Sequence, residues 1–285
     1  MEGDYRRSTI GQLFRLWKLY GTMDLMFMTR DLKLVLTYYI SDVISNTASV
    51  SATLLLAERF DGIGGWTKFQ IVFMLGYATA VSGIMWTFFN YNALHISRRL
   101  GRGQLDHTLI QPQPIWMALL TEGFTPFSSS AILVPGFVLI IWATAKLSLT
   151  VTPAWLAMAA LNLVASSAVV LAFSFMWGSI AFWAPRAAEE ISSSAVNLVH
   201  QIKSIPLDGL GPLLVGGLMT ALPVGFVAWY PCRYLVGIDG SRWGGLATPL
   251  AAAILSTLAA WVFIRGIKHY GKTGSQRYSN FGHRR

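Results

Sequence analysis

Long apolar stretches are the feature of this sequence that most constrains its fold. Six of them are too apolar and too long to be stable in water. A helix needs about 20 mostly apolar residues to cross a hydrocarbon layer of roughly 30 Å, where no water can satisfy the backbone. We therefore predict an all-α, polytopic integral membrane protein with about six transmembrane helices. The predicted spans are 34–57, 69–93, 124–145, 154–183, 211–230 and 247–264.

The distribution of positive charge predicts the orientation of these spans. Short cytoplasmic loops retain Lys and Arg, whereas exported loops contain few of them. With six spans, 17 of the 22 basic residues fall on the side that holds both termini, and Arg186 and Lys203 share a loop on that side. We therefore predict cytoplasmic N- and C-termini and a multi-pass location in the plasma membrane, which is the inner membrane of a cell that has two. The outward-facing basic residues are Arg59, Lys68, Lys146, Arg233 and Arg242.

Composition excludes several other classes of protein. Hydrophobic residues make up 54% of the chain and charged residues only 12%, and the net charge of +9 is what retained basic loops produce. We therefore predict membrane lipids, and no nucleic acid, as partners. The single cysteine, Cys232, excludes an intrachain disulfide and a multi-cysteine metal site.

The chain divides into an N-terminal segment, a membrane domain and a tail. Residues 1–30 carry recurring charges, which is not the pattern of a cleavable signal. Ile10, Leu13, Phe14 and Trp17 recur at helical spacing, so this cytoplasmic segment is predicted to be an amphipathic helix at the membrane surface. Packing of the same helix on neighbouring protein is an equal alternative. Residues 31–270 form the predicted six-helix domain, and residues 271–285 form a basic cytoplasmic tail.

Residues 266–273 match the sequence pattern of a phosphate-binding loop, G-x-x-x-x-G-K-T. That loop holds phosphate only between a strand and a helix N-terminus, and here it follows a predicted membrane helix. A basic helix end with a terminating glycine explains the same letters. We also find no Ser-His-Asp set, paired carboxylates or metal cluster in the sequence. We therefore predict a chain that is not an enzyme and that holds no cofactor and no metal.

A few polar residues within the predicted spans are candidates for a substrate path. Asp42 lies in the first span and Glu122 near the start of the third, and a charge at membrane depth is costly enough to be a functional candidate. Ser45, Ser49 and Ser82 would let helices approach closely and would line such a path. Ordinary helix packing or a hydrogen-bonded carboxylate explains the same residues. In the fifth span, prolines and glycines predict a broken or re-entrant element.

The predicted cytoplasmic loop 95–114 contains a short helix. Residues 104–110 form it, with Leu105 and Leu109 on one face and Asp106 near the positive N-terminal end. Pro112 and Pro114 prevent its continuation. A short, terminated helix on the cytoplasmic side is typical of a docking element.

This loop resembles the R-x-G-E-L-D-x-x-L-x-x-P signature that follows the second helix of ABC-2-type exporter permeases. Residues 102–106 read Arg-Gly-Gln-Leu-Asp. Residues 222–237 and 265–274 also resemble stretches of that family, and the likeness is closest to the branch once classed as a domain of unknown function. Together with the six-span layout, the resemblance covers nearly the whole chain.

The resemblance implies two paired permease subunits, each driven by a separate ABC ATPase subunit that binds ATP and Mg²⁺. Arg102, Gly103, Gln104, Leu105 and Asp106 would then belong to the coupling helix that rests in the ATPase groove. Its apolar contact would come from Leu105 and Leu109. This chain departs from the pattern at Gln104, where the family commonly has glutamate.

The implied mechanism is rocking of the two permease halves when the ATPases close, which would open a path to the outside. A rival hypothesis is an ion-coupled secondary transporter that uses Asp42 or Glu122, and a further rival is a membrane-embedded enzyme that modifies lipids. Lipids, lipid-linked glycans, drugs and peptides are all compatible substrates. The residues leave open whether the permease pairs with itself or with a different permease.

Overall fold

The computed structural model describes residues 9–59, 64–89, 96–111, 113–241 and 243–273, apart from the side chains at positions 9, 46, 49, 53, 54, 56, 57, 120 and 186. The described part is all-helical and contains no β-strand. Its helices are α1 (Thr9–Arg30), α2 (Leu32–Arg59), α3 (Lys68–Phe88), α4 (Ile96–Gly101), α5 (Gln104–Leu109), α6 (Ile115–Thr121), α7 (Ser130–Lys146), α8 (Pro153–Gly178, followed by the 3₁₀ turn Ser179–Phe182), α9 (Pro185–Ile202), α10 (Pro212–Thr220), α11 (Trp229–Leu235, preceded by the 3₁₀ turn Pro223–Phe226) and α12 (Gly244–Thr273).

Among the described residues, three helices are long and apolar enough to cross a membrane. They are α3, α8 with its 3₁₀ turn, and α12, and the number rises to four if α10 and α11 are counted as one bent span. Helix α2 has the length but not the apolar composition, and α7 has only 17 residues. The predicted multi-pass, all-helical architecture is confirmed at this level, and the predicted count of six is not reached by length and composition alone.

Helices α3 and α7 are antiparallel and touch backbone to backbone. A Cβ atom added to Gly136 would lie 2.6 Å from the Ala80 nitrogen, and one added to Gly83 would lie 2.6 Å from the Leu133 Cα. Gly76 meets the Ile140 nitrogen in the same way. Small residues at this spacing let two apolar helices gain close van der Waals contact, which replaces the missing hydrophobic drive in lipid. We call this contact the glycine seam.

The glycine seam defines the two ends of the helix bundle. Helix α3 begins next to Trp66, and the antiparallel α7 therefore ends there, so that α8 also begins at this Trp66 end. The opposite end holds the three short helices α4, α5 and α6, and we call it the loop end. Helix α12 starts at the Trp66 end, where the Asn162 side chain of α8 donates a hydrogen bond to the Gly245 carbonyl (3.0 Å). It finishes at the loop end.

The predicted fifth span, 211–230, does not connect the two ends. Helices α10 and α11 are bent by 72° relative to each other. The backbone enters at the Trp66 end, where Gly209 lies beside Gly64, and it returns there, because the Trp155 indole donates to the Leu235 carbonyl (3.0 Å). Of the two shapes predicted from prolines and glycines, broken or re-entrant, the segment adopts the re-entrant one. It enters and leaves at the same end of the bundle and does not cross to the other.

Helix α9 connects the two ends instead. Near its start, Glu189 pairs with Arg98 at the loop end (2.9 Å), and six residues past its last residue Asp208 accepts a hydrogen bond from the Trp66 indole. Our placement of Lys203 in a loop beyond the fourth span was wrong for this reason. The cause of the error is composition, since α9 carries Glu189 and Glu190 within a helix that a hydropathy window does not select.

Candidate functional site: the coupling helix and a cationic cavity

Helix α5, the predicted coupling helix, is held at the loop end by its buried face. Gly103 adopts a left-handed conformation (φ 69°) between α4 and α5, which glycine tolerates at no steric cost and which separates the two short helices. Leu105 is completely buried and packs in a cluster with Ile96, Leu100 and Tyr270. The Tyr270 hydroxyl, on the last turns of α12, also donates a hydrogen bond to the Asp106 carboxylate. The helix is thereby fixed to the final helix of the protein.

The exposed face of the predicted coupling helix differs from the one expected from the sequence. Arg102 and Gln104 are exposed, as a docking surface requires. Leu105 faces inward, however, and the apolar side chains that face outward are Leu109, 40% exposed, and Ile110, 80% exposed. The sequence pattern could not distinguish them, because Leu105 and Leu109 are four residues apart and share a face in a regular helix. Ile110, just past the last helical residue, was not among the contact residues expected from the sequence.

Glu122 lies close to the predicted coupling helix. Its carboxylate forms an ion pair with Arg99 (2.6 Å), and the two side chains are only 18% and 11% exposed. The Arg99 guanidinium also donates to the Thr108 hydroxyl (3.3 Å), and the Gln111 amide donates to Glu122 (3.4 Å). This network accounts for the burial of Glu122 without a substrate. It links α4 and α5 to the end of α6.

Helix α1 packs on the same end of the molecule through one face. Trp17 contacts Phe88 and Phe124 edge-on or tilted, and Asp24 accepts hydrogen bonds from the backbone nitrogens of Phe127 and Ser128 (2.8 and 3.1 Å). Burial raises the pKa of the Tyr20 phenol on this face, the carboxylate of Glu122 raises it further, and Arg99 opposes them. The structure thus gives α1 the protein contact that the sequence analysis left as an alternative.

Several apolar side chains of α1 are exposed. Ile10 and Phe14 near its start, and Met23, Met26 and Phe27 near its end, are each more than half exposed. Of the four apolar residues chosen from the sequence, Ile10 and Phe14 are exposed, and Trp17 contacts the protein. A helix that packs on the protein through some residues and exposes other apolar side chains fits a place between protein and lipid.

The predicted substrate-path residues do not form one cluster. Asp42 is half-buried on α2 and has an interaction partner. Ser45 is exposed on the same helix, and the side chain of Ser49 lies outside the described residues. Ser82 is buried on α3 and donates to the Ala78 carbonyl (3.0 Å). Only Ser82 lines one of the described cavities.

That cavity is small and contains a cation. Its volume is 150 Å³, and it lies between α2, α3, α7 and the end of α9. The Lys203 ammonium donates a hydrogen bond to the Ser82 hydroxyl and lies 3.1 Å from Nδ1 of His200. Thr79 and Ser204 complete the polar lining. We call it the Lys203 cavity. The sequence signal that could have found it is the buried stripe of α9, formed by Ala188, Ser192, Val196 and Val199 at helical spacing.

A second, larger cavity is apolar. It has a volume of 690 Å³, lies between α3, α7 and α8 near the Trp66 end, and is lined by side chains such as Phe73, Phe137 and Trp155. Its walls offer a polar ligand few partners. In a bilayer such a cavity suits an acyl chain.

The phosphate-loop letters at 266–273 fall within the last turns of α12, where the backbone amides bond within the helix. Gly266 is there for packing, since a Cβ atom would lie 2.1 Å from the Phe182 ring. Among the described residues, no group of His, Cys, Asp and Glu could hold a metal ion.

Comparison with known proteins gives one result. The family model described as ABC-2 family transporter protein matches residues 43–274 of the 285. No curated protein and no solved structure matches the chain.

Proposed function

This chain belongs to the ABC-2 family of transporter proteins and is a multi-pass membrane permease, and on that premise we propose that it is the transport subunit of an ATP-driven exporter. Permeases of this family work with ABC ATPase subunits in general, and in this proposal those subunits carry out the ATP chemistry. The proposed pump therefore consists of two ATPase subunits, this permease and a second permease that is identical or related to it.

The observation that carries the proposal is the geometry of α5, the predicted coupling helix. It presents an apolar contact at its exposed end, Leu109 and Ile110, and is anchored on its inner side by Leu105 and by the hydrogen bond from Tyr270 to Asp106. A force applied from the cytoplasm to such an element is passed to α12. It is also passed to α9, because Arg98 of the adjoining α4 pairs with Glu189.

The contacts support six membrane crossings, although by a different route from the one predicted. The crossing helices in this proposal are α2, α3, α7, α8, α9 and α12, with α10 and α11 as a re-entrant segment on the outer side. Both termini are then cytoplasmic, and the loop end faces the ATPase. The cations Arg98, Arg99 and Arg102 lie at the loop end, as the bias of Lys and Arg toward cytoplasmic loops requires.

Exposed polar residues support a second permease subunit. Helix α9 carries an exposed stripe of Glu190, Ser194, Asn197 and Gln201 at helical spacing, on the side opposite its buried stripe. Such a stripe is unfavourable against lipid, so it requires either a water-filled path or a partner. Helix α2 likewise exposes Ser45. In the proposed exporter these two helices face the second permease and line the path between the subunits.

Purification of the permease from its native membranes tests the proposal. The wild-type chain should recover a nucleotide-hydrolysing companion, and the double variant Leu109→Glu/Ile110→Glu should lose it. The matched control, Leu109→Ile/Ile110→Leu, keeps the apolar surface and should retain the companion. Failure of the wild type to recover any such companion would overturn the ATP-driven exporter.

The secondary-transporter hypothesis makes the opposite prediction. It requires proton flux in sealed vesicles without ATP, read with an internal pH dye and abolished by Asp42→Asn. In the exporter, vesicles that contain only the purified permease show no such flux.

A further inference from the structure

The Lys203 cavity contains a positive charge without a carboxylate partner in the described part of the chain. The described ion pairs are Lys68–Glu58, Arg98–Glu189, Arg99–Glu122 and Arg233–Asp208, and Lys203 is in none of them. Its contacts are the hydroxyl of Ser82 and the imidazole of His200. A cation withdrawn from water without a counter-charge is costly, and an arriving anion relieves that cost.

The hydrogen-bonding capacity of the cavity is also incomplete. An ammonium group has three donors, and Lys203 directs two of them to Ser82 and His200. The third donor is left for a ligand. The Ser204 hydroxyl lines the same cavity and has no hydrogen-bond partner among the described residues. Two donors around one empty volume are complementary to an oxyanion.

The volume of the cavity limits what can enter it. At 150 Å³ it corresponds to about five water molecules at roughly 30 Å³ each. A phosphate group fits this space, whereas a whole drug-sized ligand needs a cavity of about 300 Å³ or more. The remainder of a larger ligand must therefore lie outside, against the apolar side chains of Val50 and Ile132 at the cavity wall.

We propose that the Lys203 cavity binds the phosphate headgroup of an anionic amphiphile, and that such amphiphiles are the substrate class of this permease. The second half of this inference rests on the exporter function proposed above. The first half concerns the chain alone and can be tested without an ATPase.

Binding to the purified full-length permease in a non-ionic detergent tests the inference. The probes are dioctanoyl phosphatidic acid, dioctanoylglycerol, which has the same chains without the phosphate, and inorganic phosphate, each measured by isothermal titration. Wild type and Lys203→Arg should bind the phosphatidic acid. Lys203→Met should bind it at least tenfold more weakly, and the control Lys146→Met, at an exposed lysine, should bind it like the wild type.

Each remaining outcome contradicts a stated part of the inference. Equal binding by wild type and Lys203→Met overturns the site, and equal binding of the diacylglycerol overturns phosphate recognition. If inorganic phosphate binds as tightly as the lipid, the ligand is the free ion and the amphiphile is excluded. Lys203-dependent binding without a copurifying ATPase would leave the site intact and overturn only the exporter.

Discussion

The glycine seam gives a sharp prediction about stability, tested by replacing Gly136 with alanine. The new Cβ would lie 2.6 Å from the Ala80 nitrogen and 2.9 Å from the Ala80 Cα, and both of these atoms belong to the backbone. Neither can rotate away, so α3 and α7 must separate. Overpacking of this kind costs about 1–3 kcal/mol.

A glycine-to-alanine change also stabilises a helix by about 0.5–1 kcal/mol through its backbone propensity, and the control must share this gain. Gly216 in α10 provides it, because nothing lies within 4 Å of an added Cβ there. The difference in unfolding temperature between the two variants therefore measures the cost of the clash. At about 2–4 °C per kcal/mol for a chain of this size, Gly136→Ala should unfold about 2–12 °C below Gly216→Ala.

The assay is thermal unfolding of the purified full chain in a non-ionic detergent, followed by far-ultraviolet circular dichroism. In Gly83→Ala the new Cβ would lie 2.6 Å from the Leu133 Cα, so its unfolding midpoint should be lowered like that of Gly136→Ala. Equal midpoints for Gly136→Ala and Gly216→Ala would refute the claim that backbone contact holds α3 to α7.

Three further predictions concern charged groups. Arg99→Met should lower the free energy of unfolding by about 3–5 kcal/mol, because it leaves the buried carboxylate of Glu122 unpaired. The control Lys68→Met breaks a pair whose side chains are 40% and 65% exposed, and should cost about 0–1 kcal/mol. Similar midpoints of urea unfolding for the two variants would contradict this difference. Asp24→Ala should release α1 by removing the hydrogen-bond acceptor for two backbone amides, so trypsin should cleave faster within residues 15–33. An unchanged cleavage rate would show that α1 is held by its aromatic contacts alone. Asp208→Ala should loosen α11, because it removes the hydrogen-bond acceptor of two indoles and an arginine. A maleimide should then react faster with Cys232, which is the only cysteine of the chain and is buried. If Cys232 stays unreactive in this variant, Asp208 does not hold α11 in place.

Much of the fold could be predicted from the sequence because apolar length is a local property. The spans predicted at 69–93, 154–183 and 247–264 correspond to α3, α8 with its 3₁₀ turn, and α12. The short helix predicted at 104–110 is found at Gln104–Leu109, since the glycine before it and the prolines after it are local signals as well.

The errors have one physical source, which is that burial depends on contacts distant in the sequence. An apolar run over 211–230 has the composition of a span, but its prolines and its contacts with α8 and α12 turn it back. Helix α9 has the composition of a surface helix, but Arg98 neutralises Glu189 and the buried Ser192 lies against the bundle. For Leu105 the deciding contact is Tyr270, which is 165 positions away in the chain.

Direct backbone contact along the glycine seam also limits how this permease can move. Two helices that touch without intervening side chains have no slack for sliding or tilting against each other, so α3 and α7 must be displaced as one rigid body. Helix α2, in contrast, exposes most of its described side chains. The relative motion of an alternating cycle is then accommodated at the boundaries of the α3–α7 pair, where α2 and α9 adjoin it.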